Sequence, residues 1–519
     1  MKSRSQKTVT NVVTGVLEEL VAIACGLILP RLIIVKMGSD SNGITASITQ
    51  FLSAIALLKG GIGGVTRAAL YKPLAENNID EISAIVFQTE KFMRRIAIIF
   101  LASLMVFAYI YSAFICKEFS FWFEFSLVLI ISFSTFVKYF FGLTYNMLLS
   151  ADQKQNIIKY VSMATTVLNT AISVVLVNSG CSIHVVKAGS AIVFALDPFF
   201  VCWYAKKHYK LKRNVPVKGD YIKQRWDAVG HEVANFVNNS TDAIVLTIFT
   251  RVSEVSVYEV YHYVIFSIRK LVSSFIIGFG AAFGNMYAKK EYKAMADNIR
   301  LYELIVFSLA SVIYAVSIVM ICPFAVIYTA DATDNVNYLR PLFAVIITLS
   351  GAFTCYRIPY QTVVTAVGKY RETRNGAFFE AGLNIVLSIV LVIKFGMVGV
   401  AIGTLAAAIF RSTQYAIYLS KYIIKRSLFI FIKHVLLSLG IVGGTYLISL
   451  LYLPPLSSVS TNGYPGVNGW FDWVVYAIIT TAVAGILTVA TNLLCYRKDS
   501  FALLKKLLNV LGKKKGKTK

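Results

Sequence analysis

Apolar runs of about 20 residues recur from one end of this 519-residue chain to the other. Fourteen can be marked, beginning at residues 12–35, 43–69 and 93–115 and ending at 428–452 and 470–494. A run of that length spans the hydrocarbon of a bilayer. It must do so as a helix, because no water is there to bond the backbone N–H and C=O groups. The polar segments between the runs are too short to form a separate domain. The expected fold is therefore all-α, a polytopic membrane protein of 14 transmembrane helices. Composition agrees: the chain is 57% hydrophobic with a mean hydropathy of +0.67, where a soluble domain is about 45–50% apolar.

The net charge is +25, from 51 Lys+Arg and 26 Asp+Glu. Nucleic-acid binders gather such an excess on one folded face. Here it lies in short loops, as in "KKHYKLKRNVPVKGDYIKQR" (206–225), "AKKEYKA" (288–294), "GKYRETR" (368–374) and the tail "LGKKKGKTK", so nucleic acid is not an expected partner. The alternate loops are poor in Lys and Arg, and "LPPLSSVSTNGYPGVNG" (453–469) has no charge. The positive-inside rule then puts both termini in the cytoplasm, which an even number of spans satisfies. The basic N-terminus is followed by a run holding Glu18 and Glu19 with no convincing cleavage site, so an uncleaved first span is expected. The seven cysteines lie mostly in or beside apolar runs without a Cys-x-x-Cys, and read as small core hydrophobes.

A repeat is visible. The segment starting at Leu148, "LLSADQKQNIIKYVSMATTVLNTAISVVLV", matches that starting at Val363, "VVTAVGKYRETRNGAFFEAGLNIVLSIVLV". At a constant offset of 215, Ala151, Lys154, Leu168, Asn169 and Ser173 meet Ala366, Lys369, Leu383, Asn384 and Ser388. The spans group as six, six and two. The expected division is an N-terminal six-helix lobe (10–205), a basic cytoplasmic linker (206–227), a second six-helix lobe (228–422), an added helix pair (427–495) and a basic cytoplasmic tail (496–519). Six is even, so the lobes are parallel repeats, an arrangement that transporters use to rock two halves about a site.

Several polar residues sit where hydrocarbon is expected. In span two, Thr45, Thr49, Ser53, Ala56, Lys59, Gly63 and Thr66 form one small, polar stripe at helical spacing. A lysine at such depth costs about 2.5–3.5 kcal/mol on insertion scales. Two readings fit Lys59: the stripe faces a watery cavity, with Gly60, Gly61, Gly63 and Gly64 leaving room beside the ammonium, or Lys59 snorkels to the headgroups. Span eight puts Glu259, His262, Phe266, Arg269 and Ser273 on one stripe, with Lys270 adjacent. Arg269 and Lys270 form the strongest intramembrane charge signal, the alternative being a structural ion pair with a neighbouring helix. Asn235, Asn238 or Asn239, and Asp242 share a face in span seven, and Arg31 follows Pro30 in span one. Lys138 and Arg357 are further deep cations. Glu18, Glu19, Asp242 and Glu259 read equally as an H+ or Na+ site or as partners of those cations. Glu380 and Arg411, near cytoplasmic ends, read as structural. The five histidines show no metal-ligand spacing and no nucleophile–base pair is discernible, so neither an enzyme nor a cofactor is expected.

In its order of motifs the chain resembles the multidrug/oligosaccharidyl-lipid/polysaccharide exporter superfamily, and within it the polysaccharide-unit flippases. The stretches concerned are "LPRLIIVKMGSDSNGITASITQFLSAIALLKGGIGGVTRAAL", "NSTDAIVLTIFTRVSEVSVYEVYHYV", "AVGKYRETRNGAFFEAGLNIVLSIVLV" and "GMVGVAIGTLAAAIFR". The resemblance implies two six-helix bundles in a V around a central cavity lined by the first, second, seventh and eighth helices. It implies a flippase of the plasma or inner membrane. This would carry a polyprenyl-pyrophosphate-linked oligosaccharide from the cytoplasmic to the outer leaflet by alternating access, for surface polysaccharide such as capsule or lipopolysaccharide. Lys59, Arg269 and Lys270, with Arg31, Lys138 and Arg357, would meet the pyrophosphate. Asn235, Asn239, His262 and Ser273 would meet the sugars. Membrane lipid and a glycan polymerase or ligase are the implied partners. A cation-coupled multidrug exporter and a lipid II flippase are the alternatives, and the four carboxylates argue against an all-cationic cavity.

Overall fold

A computed structural model of the chain describes residues 4–59, 62–212, 215, 240–276, 279–453, 467 and 469–505. Among these, eleven helices are long and apolar enough to cross a membrane. They are α1 (Arg4–Met37), α4 (Ile79–Ile115), α5 (Phe121–Ala151), α6 (Gln155–Asn178), α7 (Ile183–Tyr209), α11 (Tyr292–Tyr328), α12 (Pro341–Ala366), α13 (Tyr370–Phe395), α14 (Met397–Ile423), α15 (Phe429–Ser449) and α16 (Trp470–Cys495). Where described, the other three expected spans contain helix as well. Residues 43–69 contain α2 (Ser39–Ile55), a 3-10 turn (Ala56–Lys59) and the start of α3 (Ile62–Ala75). The seventh span is represented by α8 (Ser240–Phe249), and the eighth by α9 (Val252–Ile276) followed by α10 (Phe279–Ala288). α2 and α8 are shorter than 18 residues over the described stretch, and α9 alone holds Glu254, Glu259, Arg269 and Lys270. The protein is a polytopic, all-helical membrane protein. All seven cysteines are unpaired.

By packing, the chain divides into two compact units, Met1–Glu259 with Asp331–Val336, and Val260–Ala330 with Asn337–Lys519. In unit 1, α1 runs along α6, α6 pairs with α7, and α7 lies on α5. One core cluster is built on Ile44, Ile48, Phe100 and Leu127, and another on Leu70, Ile85, Tyr145 and Leu148. The α8–α9 turn seats directly on α2. A Cβ on Gly43 would lie 1.8 Å from the carbonyl oxygen of Val252, a backbone atom that cannot swing aside. Asn42 donates to Ser256 at 2.8 Å and Thr247 to Ser47 at 2.9 Å. Gly43→Ala is therefore expected to prise this turn off α2 at a cost of about 1–3 kcal/mol. The yield of a disulfide engineered as Asn42→Cys with Ser256→Cys, about fivefold lower or more in the Gly43→Ala background, reads the change; an unaltered yield would contradict it.

In unit 2 the same pairings recur: α13 with α14, and α14 on α12, as α6 with α7, and α7 on α5. Glycines bring α13 and α14 close. A Cβ on Gly399 would stand 2.3 Å from the Leu391 carbonyl oxygen, and one on Gly403 2.6 Å from Ser388 Oγ. Small residues let backbones approach in this way where lipid supplies no hydrophobic drive. The added pair, α15 and α16, packs on α11. Ala315 meets Val442 and Ala484, and Trp473 donates its indole N–H to the Met320 carbonyl at 3.2 Å.

Candidate functional site

Unit 1 contains a cavity of about 320 Å3 walled by α1, α2, α5, α6 and α7. Its α2 wall is the stripe read from sequence, Thr45, Thr49, Ser53 and Ala56. Opposite stand Asn169 of α6 with Lys187 and Ser190 of α7. The cavity stops at Ala56, a turn short of Lys59. Lys59 is partly buried at the end of the 3-10 turn, with no ion pair among the described residues. Beyond it the stripe changes character: Gly63 rests near Met147, a Cβ on Gly64 would meet open space, and Thr66 is buried within 3.4 Å of Thr89 Oγ1.

Lys187 was not legible as a site residue, because it lies four positions into its span, where a cation reads as interfacial. The spacing of Lys187, Ser190, Ala191 and Phe194 on one face of α7 is the signal that marks it. Among the described residues Lys187 has no ion pair.

A second group in unit 1 joins three helices. Asp197 of α7 feels the charges of Lys138 on α5 and Glu18 on α1. One oxygen of Asp197 is buried without a hydrogen-bond partner. Lys138 itself is exposed, at the first position of a π turn (Lys138–Gly142). Glu19 is partly buried beside Glu18. Nearer the α8–α9 turn, Asp242 is buried and accepts from Tyr258 at 3.1 Å, and Glu259 accepts from Gln50 at 3.2 Å. Glu118, in the loop after α4, accepts the Val252 N–H at 3.3 Å. Burial holds the Glu118 carboxyl above its usual range in spite of that bond. Asp40 is raised too, by burial first and then by Asp334.

In unit 2, α9 keeps its predicted stripe. His262 stacks on Phe266 with ring centroids 5.7 Å apart. The Arg269 guanidinium and the Lys270 ammonium each lie 5.0 Å from the Phe266 centroid, in cation–π range. Arg269 is partly buried, and its charge reaches His262, Tyr314 of α11 and Cys355 of α12. Lys270 is exposed, and Ser273 follows one turn on. Asn235, Asn238 and Asn239 lie outside the described residues, as does most of the basic linker.

No family model matches the chain, and no curated protein matches it. Solved structures do. The lipid II flippase MurJ, in an inward closed conformation, aligns over 93% of this chain and 99% of its own, with a TM-score of 0.66 at 15% identity. An inward-facing multidrug resistance MATE transporter of the MOP superfamily aligns over 79% and 98%, with a TM-score of 0.60 at 13% identity. The Vibrio cholerae MATE transporter VcmN in its bent form covers 80% and 95%, with a TM-score of 0.52 at 16% identity. The chain has the MATE and MurJ fold.

Within that fold two expected substrate cations prove to be engaged elsewhere. Arg357 donates to Glu380 at 2.8 Å, and the second oxygen of Glu380 lies 3.3 Å from Arg411 Nε. Arg411 also donates to the Thr373 carbonyl at 2.9 Å and to Tyr415. This triad ties α12, α13 and α14 together, so Arg357 is a structural residue and not a cation waiting for ligand. Arg31 pairs with Asp331 at 3.0 Å. Sequence showed how deep these arginines lie but not the partner, 23 residues away in one case and 300 in the other. A third pair, Glu303 of α11 with Arg426, went unnoticed because Arg426 sits in a loop.

Proposed function

We propose that this protein is a flippase that moves a polyprenyl-pyrophosphate-linked oligosaccharide from the cytoplasmic to the outer leaflet by alternating access, for surface polysaccharide synthesis. The observation that carries the reading is Arg269 and Lys270 next to each other in a 25-residue helix of a polytopic membrane protein, on a fold whose solved members include a lipid flippase. A pyrophosphate head with its sugars cannot cross hydrocarbon bare. In this reading Arg269 and Lys270, joined by Lys59, hold the pyrophosphate while His262 and Ser273 meet the sugars. The lipid tail stays in the bilayer. Glu18 and Asp197 supply the acidic pair for an H+ or Na+ that drives the cycle, and both termini stay in the cytoplasm.

The test is the triple replacement Lys59→Ala, Arg269→Ala and Lys270→Ala in cells that depend on this protein for surface glycan. Each charge-assisted contact is worth about 1.5–3 kcal/mol. Loss of two or more therefore predicts a fall in export of about 100-fold or greater, with the protein still inserted at normal levels. Normal export would remove the assigned role.

A lipid II flippase is the second reading. It is favoured by the MurJ alignment, whose extra coverage over the MATE alignment is close to the length of the segment from Phe429 to Cys495. Depletion separates the two: arrested wall synthesis with lipid II accumulating in the inner leaflet selects the second, and loss of surface glycan alone selects the first.

A further inference from the structure

The α2 wall of the unit 1 cavity is chemically one-sided, while Ser134 and Thr135 of α5 and Ser190 of α7 add hydroxyls elsewhere in the lining. The hydroxyls of Thr45, Thr49 and Ser53 donate to the backbone carbonyls of Ser41, Thr45 and Thr49, at 2.8, 2.8 and 3.0 Å. Their protons are thereby committed to the helix, and only oxygen lone pairs remain for the cavity. Asn169 is 6% exposed, lines the same space, and its Oδ1 accepts from nothing. The single charge in the lining is Lys187, with up to three donors and no carboxylate beside it. A complementary ligand must therefore bring several hydrogen-bond donors to α2 and Asn169, and one negative charge to Lys187.

Size narrows the class. A cavity of 320 Å3 has room for roughly ten waters at about 30 Å3 each, far more than a halide fills. It falls in the range of about 300–1,000 Å3 typical of small-molecule sites. Inorganic phosphate meets the charge but brings only one or two O–H donors to the four acceptors of Thr45, Thr49, Ser53 and Asn169. A neutral sugar meets those acceptors but leaves the ammonium uncompensated in a poorly solvated place, which is costly.

The fold does not require this hollow. At the repeat offset, Asn169 corresponds to Asn384, whose amide donates to Thr404 at 3.2 Å and whose oxygen accepts from Ser388. Lys187 corresponds to Ile402, beside Gly403, where α13 and α14 close upon each other. One repeat has packed the position shut, and the other has kept it open with a cation and an idle acceptor.

We infer that this cavity binds one acidic sugar residue, its carboxylate on Lys187 and its hydroxyls on Asn169 and the α2 hydroxyls. The inference rests on the flippase reading and sharpens it: the saccharide carried contains an acidic sugar, which unit 1 recognises apart from the lipid head.

The experiment measures glucuronate, glucose, chloride and inorganic phosphate binding to the full-length protein in nanodiscs by calorimetry. Since a hydrogen bond to a charged group is worth about 1.5–3 kcal/mol, glucuronate is expected to bind at least about tenfold more tightly than glucose. Lys187→Met should bring that ratio close to one, and Asn169→Leu should weaken both sugars together. Equal affinities in the wild type, a ratio unchanged by Lys187→Met, or chloride or phosphate binding as tightly as glucuronate would each overturn the inference. Should Lys187→Met fail to insert, the wild-type ratio and Asn169→Leu still decide. The variant Arg269→Ala/Lys270→Ala keeps both residues of this cavity, so its glucuronate binding should be normal whether or not its lipid transport is lost. The two readings therefore fail separately.

Discussion

Glu303→Gln should lower the melting temperature of the detergent-solubilised protein by roughly 10 °C, one of the largest stability effects expected from a single substitution here. Glu303 is fully buried on α11 and grips Arg426 through both oxygens, Nη1 at 2.7 Å from Oε2 and Nη2 on Oε1. Around the pair lie Tyr360 of α12 and His434 of α15, the latter stacked between Phe307 and Tyr496. Removing one partner of a buried pair strands the other charge and costs about 3–5 kcal/mol. At about 2–4 °C per kcal/mol for a cooperative unit of 150–250 residues, that gives the shift above. Replacing both partners by apolar residues, Glu303→Leu with Arg426→Met, strands nothing and should recover most of the loss. A double variant as unstable as Glu303→Gln would show that the bridge does more than neutralise itself. The bridge also anchors the link between α14 and α15, so its loss should free the added helix pair first.

The second large effect belongs to Glu380. It is the only carboxylate in the triad with Arg357 and Arg411, and all three side chains are largely buried, at 6%, 16% and 7% exposure. Glu380→Gln leaves two guanidinium groups facing each other without a counter-charge. The expected loss is about 3–5 kcal/mol or more, a fall of 10 °C or beyond in the same melt. Arg411→Gln should cost less, because Glu380 keeps Arg357. That order is the diagnostic, and the reverse order would mean that the contacts of Arg411 to Thr373 and Tyr415 outweigh the charge balance. Because the triad joins α12, α13 and α14 inside unit 2, the damaged protein should still insert.

The membrane crossings were legible because hydropathy over 20 residues is a one-dimensional property. Each of the fourteen expected runs contains helix among the described residues, and four residues of the α2 stripe, Thr45, Thr49, Ser53 and Ala56, line a cavity while Lys59, Gly63 and Thr66 do not. Arg269, Arg357 and Lys138 lie within helices or at their breaks, where the runs placed them. Direction around the helix axis relative to a neighbour was not legible, because it depends on packing between segments remote in sequence. Arg357 therefore reads as available and is paired, while Lys187, close to the start of its span, carries no signal of depth in the sequence and faces a hollow. Asp197 was overlooked for the same reason: one carboxylate in "FALDPFF" acquires meaning only when Lys138 and Glu18 arrive from other helices.

The interruption of the second crossing has a mechanical consequence. Its first rod ends at Ile55 and is riveted to the α8–α9 turn through Asn42 and Ser47; a fresh rod begins at Ile62. A continuous helix would transmit any tilt along its whole length. Two rods in place of one let the second tilt while the rivets hold the first, and Lys59, at the end of the 3-10 turn after the first rod, is the cation such a tilt displaces least.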